Sequence, residues 1–384
     1  MKQYYNSFKF VCRCLSLRNH EDNIADIHHQ VTRGSLSWES VIYIANNHLV
    51  TPGLWSGLKN KNLEDLLDDE TRRYLYELHA MNRNRNSHLR RQLLEAVGTL
   101  NAAGITPLLL KGSGQLVQPI HNDPGSRIMS DLDILIPPEQ LHNALNALAS
   151  KGYRETEVSY DPEKLHHWAP LMRPGDYGTI ELHRQVLNRF VVQVISTEKI
   201  WQAAESKTKD GVRFFLPSAT HSILICMLHS REFNHADDPR QFNLRSLHDL
   251  AAITKHHSAE IDWQMILRQM KDHGLGFEAE AQLLAAQRML GMPLPNAILP
   301  GPSARLHHAV SLAAVNWPII EFLSRRVYDF SVFQIRQRYG CARHSVCLAA
   351  YRMRYLFSFL KYQLSRRFPA AQITKDPSKE FVSG

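Results

Sequence analysis

The sequence predicts an α+β protein: a small mixed β-sheet core flanked by N-terminal and C-terminal helical regions. Three observations lead there. Residues 1–104 and 201–300 place apolar side chains at helical intervals. Between them, short apolar runs carry polar residues at the two-residue period of strands. Clusters of Gly, Pro, Asn and Asp separate those runs, as turns require.

The elements follow in order. Within residues 1–104 the clearest helix is 63–103, where Leu66, Leu75, Leu89, Leu93, Val97 and Leu100 share the helical spacing. Asn101 and Gly104 suit its stop, and Arg83, Arg85, Arg90 and Arg91 give it a basic face expected to be solvated. Residues 105–200 form the core. A first strand is expected at 106–110, a short helix from Gly112 to about Ile120, a turn at 121–126 and a strand at 130–136. Pro137 and Pro138 open a helix that ends near Gly152, and a strand resumes at 153–158. Residues 161–175 read as loop, and the adjacent His166 and His167 project apart rather than toward one metal. The next strand is 179–187. Residues 201–300 read as a helical domain, with helices after Pro217-Ser218 and near 243–256, 262–272 and 276–290. Residues 301–370 form a basic amphipathic region, and 371–384 a disordered tail.

Bulk properties narrow the function classes. The chain has 384 residues with 44% hydrophobic and 21% charged residues, a globular composition with room for two or three domains. It contains neither an apolar run of membrane-spanning length nor an N-terminal apolar segment suited to a signal peptide. The five cysteines suggest no disulfide framework, and reduced thiols in the cytoplasm are expected. The net charge of +8 is concentrated: eleven Lys and Arg lie between Arg305 and Phe368 against only Glu321 and Asp329. That region fits packing with Arg stems along apolar surface, or peripheral contact with anionic lipid at the inner face of the membrane. Nucleic acid is ranked below both, because no spacing matches a nucleic-acid module.

The chemistry centres on 108–136, LLLKGSGQLVQPIHNDPGSRIMSDLDILI. Asp131 and Asp133 share one strand face, while Leu132, Ile134 and Ile136 share the other. Two neighbouring carboxylates resist ionisation unless a cation lies between them, and a divalent ion with oxygen ligands is the usual solution. Upstream, Gly112 and Gly114 permit close backbone approach, Ser113 offers a hydroxyl and an N–H, and Lys111 adds a cation. The spacing is not that of a P-loop. Arg127 precedes the acidic strand. Glu181, on the strand 179–187, supplies a third carboxylate and shares a face with His183. Arg245 and Asp249 are spaced to pair on one helix face.

This combination resembles the nucleotidyltransferase superfamily that includes DNA polymerase β. More narrowly, it is similar to a bacterial family of uncharacterised nucleotidyltransferases. The residues carrying the resemblance are Leu110-Lys111-Gly112, Arg127, 130–136, Gly152-Tyr153 and Glu181-Leu182-His183. The pattern His229…His235…Arg245…Asp249 resembles the family's C-terminal half, so the likeness spans about 80–295. Two departures are a long 112–131 connection relative to the superfamily and Arg184 where the family has Trp.

The resemblance implies transfer of a nucleoside monophosphate from an NTP, such as ATP, to a hydroxyl or similar acceptor, with release of pyrophosphate. Asp131, Asp133 and Glu181 would hold two Mg²⁺ ions, or Mn²⁺. Lys111, Gly112, Ser113 and Arg127 would bind the triphosphate. His183, His229, His235, Arg245 and Asp249 would lie toward the acceptor, a small molecule or a peptide or protein. The rival reading is a noncatalytic nucleotide-binding or regulatory module that docks on a membrane or protein partner.

Overall fold

In the computed structural model the residues described are 2–317 and 320, apart from 19–20, 35, 159–164, 188–192, 234–241 and 295–297. The chain begins with α1 (Lys2–Leu15), α2 (Glu21–Thr32), α3 (Trp38–Asn47) and α4 (Thr51–Lys59), and then the long α5 (Asp69–Ala102). The Asp68 side chain caps α5 by accepting from Thr71 N at 2.8 Å, and Asp69 and Glu70 complement the positive end of its dipole. There follow β1 (Leu108–Leu109), α6 (Lys111–Val117), β2 (Asp131–Leu135), α7 (Leu141–Ala149), β3 (Arg154–Glu155), β4 (Leu171–Met172), β5 (Thr179–His183), α8 (Thr197–Gln202), β6 (Glu205–Lys209) and β7 (Val212–Leu216). The last helices described are α9 (Ala219–Phe233), α10 (Leu244–His256), α11 (Trp263–Asp272), α12 (Gly276–Leu290) and α13 (Pro302–Asn316).

The seven strands form one mixed sheet in the order β3-β4-β5-β2-β1-β7-β6. β2 runs parallel to β5 and antiparallel to β1, and β1 runs parallel to β7. The α+β class is therefore the observed one. Several strands are shorter than the sequence suggests, β5 ending at His183 and β3 holding only Arg154–Glu155. The segment 161–175 is not simply loop, since it contains β4 and a bridge between His167 and His183. Nor is 201–300 uniformly helical. Asp210 (φ 51°) and Gly211 (φ 79°) make a tight turn between β6 and β7, and that hairpin extends the sheet beyond residue 200.

The two faces of the sheet have different tasks. Leu132, Ile134, Ile180 and Leu182 are fully buried and pack with Leu89, Leu93, Val97 and Leu100 of α5 and Leu141, Ala144 and Leu148 of α7. Each such leucine stabilises the fold by ~1.5–3 kcal/mol relative to exposure. The opposite face carries the acids. A second core joins the N-terminal helices to α9–α12, with Phe8, Phe10, Leu54 and Leu58 in the same cluster as Leu224, Leu250, Ala279 and Leu283. Leu17 N also donates to Leu290 O at 2.9 Å, so both ends of the described chain pack into one helical body beside the sheet.

Helix α5 also braces the approach to β2. Asn82 donates to Gly125 O and Arg127 O at 2.7 and 3.0 Å, and Asn86 to Pro124 O and Arg127 O at 2.7 and 2.9 Å. Arg85 reaches Met129 O and Tyr177 O, both at 2.9 Å, and Arg90 pairs with Asp210. The basic face of α5 is thus partly structural rather than solvated. Asn82, Arg85 and Asn86 stand at i, i+3 and i+4, one stripe whose donors satisfy loop carbonyls that would otherwise be orphaned.

Among the described residues no helix is long and apolar enough to cross a membrane. The expected basic region 301–370 lies outside them beyond α13 and residues 317 and 320, as does all of the tail 371–384.

Candidate active site

The register of β2 and β5 builds the site. Asp131 pairs with Thr179, Asp133 with Glu181 and Leu135 with His183. Parallel pairing puts Asp131, Asp133, Glu181 and His183 on one face, opposite α5. Gly178, just before β5, has no room for a side chain: a Cβ there would lie 2.5 Å from a Leu89 methyl and 2.9 Å from Ser130 O.

Asp133 is the buried centre, only 3% exposed. Its Oδ1 accepts from Lys111 Nζ and from His183 Nε2, each at 2.9 Å. Burial alone would raise this carboxyl, but the Lys111 ammonium and His183 hold it well below the usual carboxylate range. Lys111 responds in kind, since burial lowers its pKa but Asp133 more than offsets that and raises it. His183 is fully buried, which lowers its pKa, and its Nδ1 lies 3.3 Å from Gln185 O. Glu181 is pushed the other way, its pKa raised by burial and then by the neighbouring Asp133 charge. Asp131 is half-buried and accepts from Ser130 Oγ at 3.0 Å.

One ligand atom each from Asp133, Glu181 and His183 lies within 4.8 Å of the others. Two carboxylates and an imidazole form a donor set suited to a divalent cation, and the disfavoured ionisation of Glu181 is what such a cation would relieve. Asp131 shares the face without belonging to that tight group, whereas His183, expected toward the acceptor, does belong to it.

The turn after β1 differs in detail from the glycine loop expected. Lys111, rather than a glycine, adopts the positive φ, 46°. Gly112 serves close approach instead, because a Cβ there would meet Arg127 Nη1 at 2.8 Å. Ser113 is fully buried, its N–H donates to Leu110 O at 2.9 Å, and it does not line the cavity described below.

Arg127 is held from the far side. Its Nε donates to both oxygens of Asp249 in α10, at 3.0 and 2.9 Å, and His121 bonds the same carboxylate at 3.0 Å. Burial would raise the Asp249 carboxyl, but Arg127 and His121 depress it. The expected pairing of Asp249 with Arg245 is absent among the described residues, where Asp249 turns to Arg127 and His121 instead. Sequence reasoning missed His121 and Asp123. The latter caps the turn before Arg127, accepting from Ser56 Oγ at 2.5 Å, His79 Nε2 at 2.7 Å and Gly125 N at 2.8 Å. The Asn-Asp-Pro-Gly turn was a visible signal for Asp123, but its partners are remote in sequence.

A cavity of about 750 Å³ opens in front of the acids. Lys111, Gly112, Arg127, Asp131 and Asp133 line one part, and His229, Arg245 and Asp249 join from the helical side. Tyr4 and Phe8 of α1, Tyr43 of α3 and Phe242 just before α10 line it as well, aromatic contributions that the sequence did not signal. His229 is kept neutral by burial, with Lys111 adding to the effect. His235 lies outside the described residues.

A strand leading into a short helix, paired acids on the next strand and a third acid on its parallel neighbour define a nucleotidyltransferase. Over residues 34–291 the chain matches the model of the family described as uncharacterised nucleotidyltransferase, and it belongs to that family. No curated protein matches it significantly. Among solved structures it is similar to an antigenic nucleotidyltransferase-like protein from Paracoccidioides brasiliensis, at 15% identity and TM-score 0.36, over 56% of this chain and 98% of that one.

Proposed function

We propose that this nucleotidyltransferase moves an NMP from an NTP to an acceptor hydroxyl or similar group and releases pyrophosphate. The single observation carrying the reading is the β2–β5 register, which sets Glu181 beside Asp133, itself on the wall of a cavity that Lys111 and Arg127 also line.

Asp131, Asp133 and Glu181, with His183 beside them, would hold Mg²⁺ or Mn²⁺. Such an ion supplies charge neutralisation at the phosphates and lowers the pKa of the acceptor group. The protein's own residues do the rest. The acceptor oxygen forms a bond to the α-phosphorus, and the bond from that phosphorus to the β-phosphate oxygen breaks, its electron pair leaving with pyrophosphate. Glu181, beside Asp133 on the parallel strand, receives the acceptor's proton. Lys111 and the Arg127 terminal nitrogens balance the charge of the leaving pyrophosphate. His183 holds Asp133 in place through its Nε2.

The cavity volume and its Tyr4, Phe8, Tyr43 and Phe242 lining favour an acceptor with an apolar or aromatic part, either a small molecule or a peptide side chain. An NTP-dependent enzyme with reduced cysteines belongs in the cytoplasm, and 305–368 would supply a lipid contact there. The test is incubation with α-labelled NTPs, Mg²⁺ and candidate acceptors. Wild type should transfer label and Asp133→Asn should lose activity by orders of magnitude. Full activity in Asp133→Asn would remove the assignment.

A further inference from the structure

We propose that Arg245 and Arg127, the latter held by Asp249, form an anion subsite for the β- and γ-phosphates. This inference rests on the nucleotidyl-transfer reading and assigns its leaving-group pocket.

Arg245 and Asp249 lie one turn apart on α10, a spacing at which the two ordinarily pair. Here Asp249 is taken by Arg127 and His121. Among the described residues no hydrogen bond or ion pair engages the Arg245 guanidinium, although it is half-buried on the cavity wall. Burial and then the Arg127 charge disfavour its cation, and the charges of Asp249, Asp131 and Asp133 offset them only in part.

Arg127 offers the complementary half. Asp249 occupies only its Nε, and its terminal nitrogens make no hydrogen bond among the described residues. Nη1 lies against Gly112, at the turn that also carries Lys111. Asp249 therefore fixes the direction of one guanidinium while leaving the other unpaired. Two planar forks on one cavity wall, with Lys111 bordering the same space, suit a polyphosphate. Asp249 acts as a positioning residue. His121 bonds the same carboxylate at Oδ1, and the His248 ring lies tilted beside that of His121, with ring centroids 4.6 Å apart.

The experiment is calorimetric binding of inorganic tripolyphosphate to the full chain, without divalent metal and without nucleotide. Wild type should bind, and Arg245→Gln should weaken binding about tenfold or more, as loss of a charge-assisted contact does. Asp249→Asn should weaken it through a misdirected Arg127, with Asp249→Glu restoring part of the affinity. Arg268→Gln, exposed on α11, should bind as wild type. If Asp249→Asn fails to fold, Arg245→Gln decides alone, because its side chain has no partner whose loss would unfold the protein. Wild-type affinity in Arg245→Gln, equal losses in Arg245→Gln and Arg268→Gln, or no binding by wild type would overturn the proposal. Because the readout needs no turnover, tripolyphosphate binding without any label transfer would sink the catalytic reading and leave the subsite standing.

Discussion

Replacing Lys111 by methionine tests how the site holds its charge before metal arrives. The Lys111 side chain is 14% exposed and that of Asp133 4%, so this is a buried ion pair. Removing one partner of such a pair costs ~3–5 kcal/mol, because the other charge stays buried. His183 still donates to Asp133 Oδ1, which places the expected loss near the lower figure, ~3 kcal/mol. A divalent ion at the acids would then take over the role of the ammonium. At one hundred times its dissociation constant a ligand restores ~2.7 kcal/mol. In wild type the same ion competes with Lys111 for Asp133, so it should stabilise less. The assay is urea unfolding followed by tryptophan fluorescence, with and without Mn²⁺. Lys111→Met should be markedly weaker without metal and recover most of the loss with it. Equal metal-free stability, or equal gains from Mn²⁺ in both proteins, would refute the reasoning.

Further outcomes follow from the same geometry. Glu181→Gln should abolish transfer yet raise metal-free stability at neutral pH, since the folded state disfavours the ionised carboxyl; a destabilised variant in urea would count against this. The sign is that of a raised carboxyl, whose favourable protonated form is lost as pH rises through the folded value. Asp123 is the reverse case: burial opposes ionisation, but His79, Ser56 and Gly125 depress its pKa below 3.8, so its contribution is full above that value and fades as pH falls. Asp123→Asn should therefore lose stability at pH 7 and show a shallower acid transition, read by circular dichroism from pH 5 to 2. Gly178→Ala should lose ~1–3 kcal/mol in urea unfolding through collision with Leu89 and Ser130 O. Wild-type stability there would mean that β5 can shift away from α5.

The parts of this architecture with a local signature could be read from the chain. The apolar face of β2 is set by alternation, and Leu132 and Ile134 are indeed fully buried while Asp133 faces the other way. That the strand of Glu181 lies beside the acidic strand could be inferred from the need for a third carboxylate, although its register against Asp133 could not. The hairpin at 205–216 had its own signal in Asp210-Gly211, but helical spacing on both sides obscured it. What could not be read were choices among distant partners. Nothing in the i, i+4 spacing of Arg245 and Asp249 says that Asp249 will meet Arg127, 122 positions away. Nor does an Asn at 82 or 86 reveal that it will close the carbonyls of the loop before β2. Those contacts arise when helices from both ends of the chain pack around the sheet.

The central claim is tested most directly by α-labelled NTPs with Mg²⁺ or Mn²⁺ and a host lysate as the acceptor source, the product being sized and then treated with protease. Wild type should yield a labelled product with release of pyrophosphate, and Asp133→Asn should yield none above background. No transfer by wild type with any NTP and either metal, or an undiminished product from Asp133→Asn, would contradict the account.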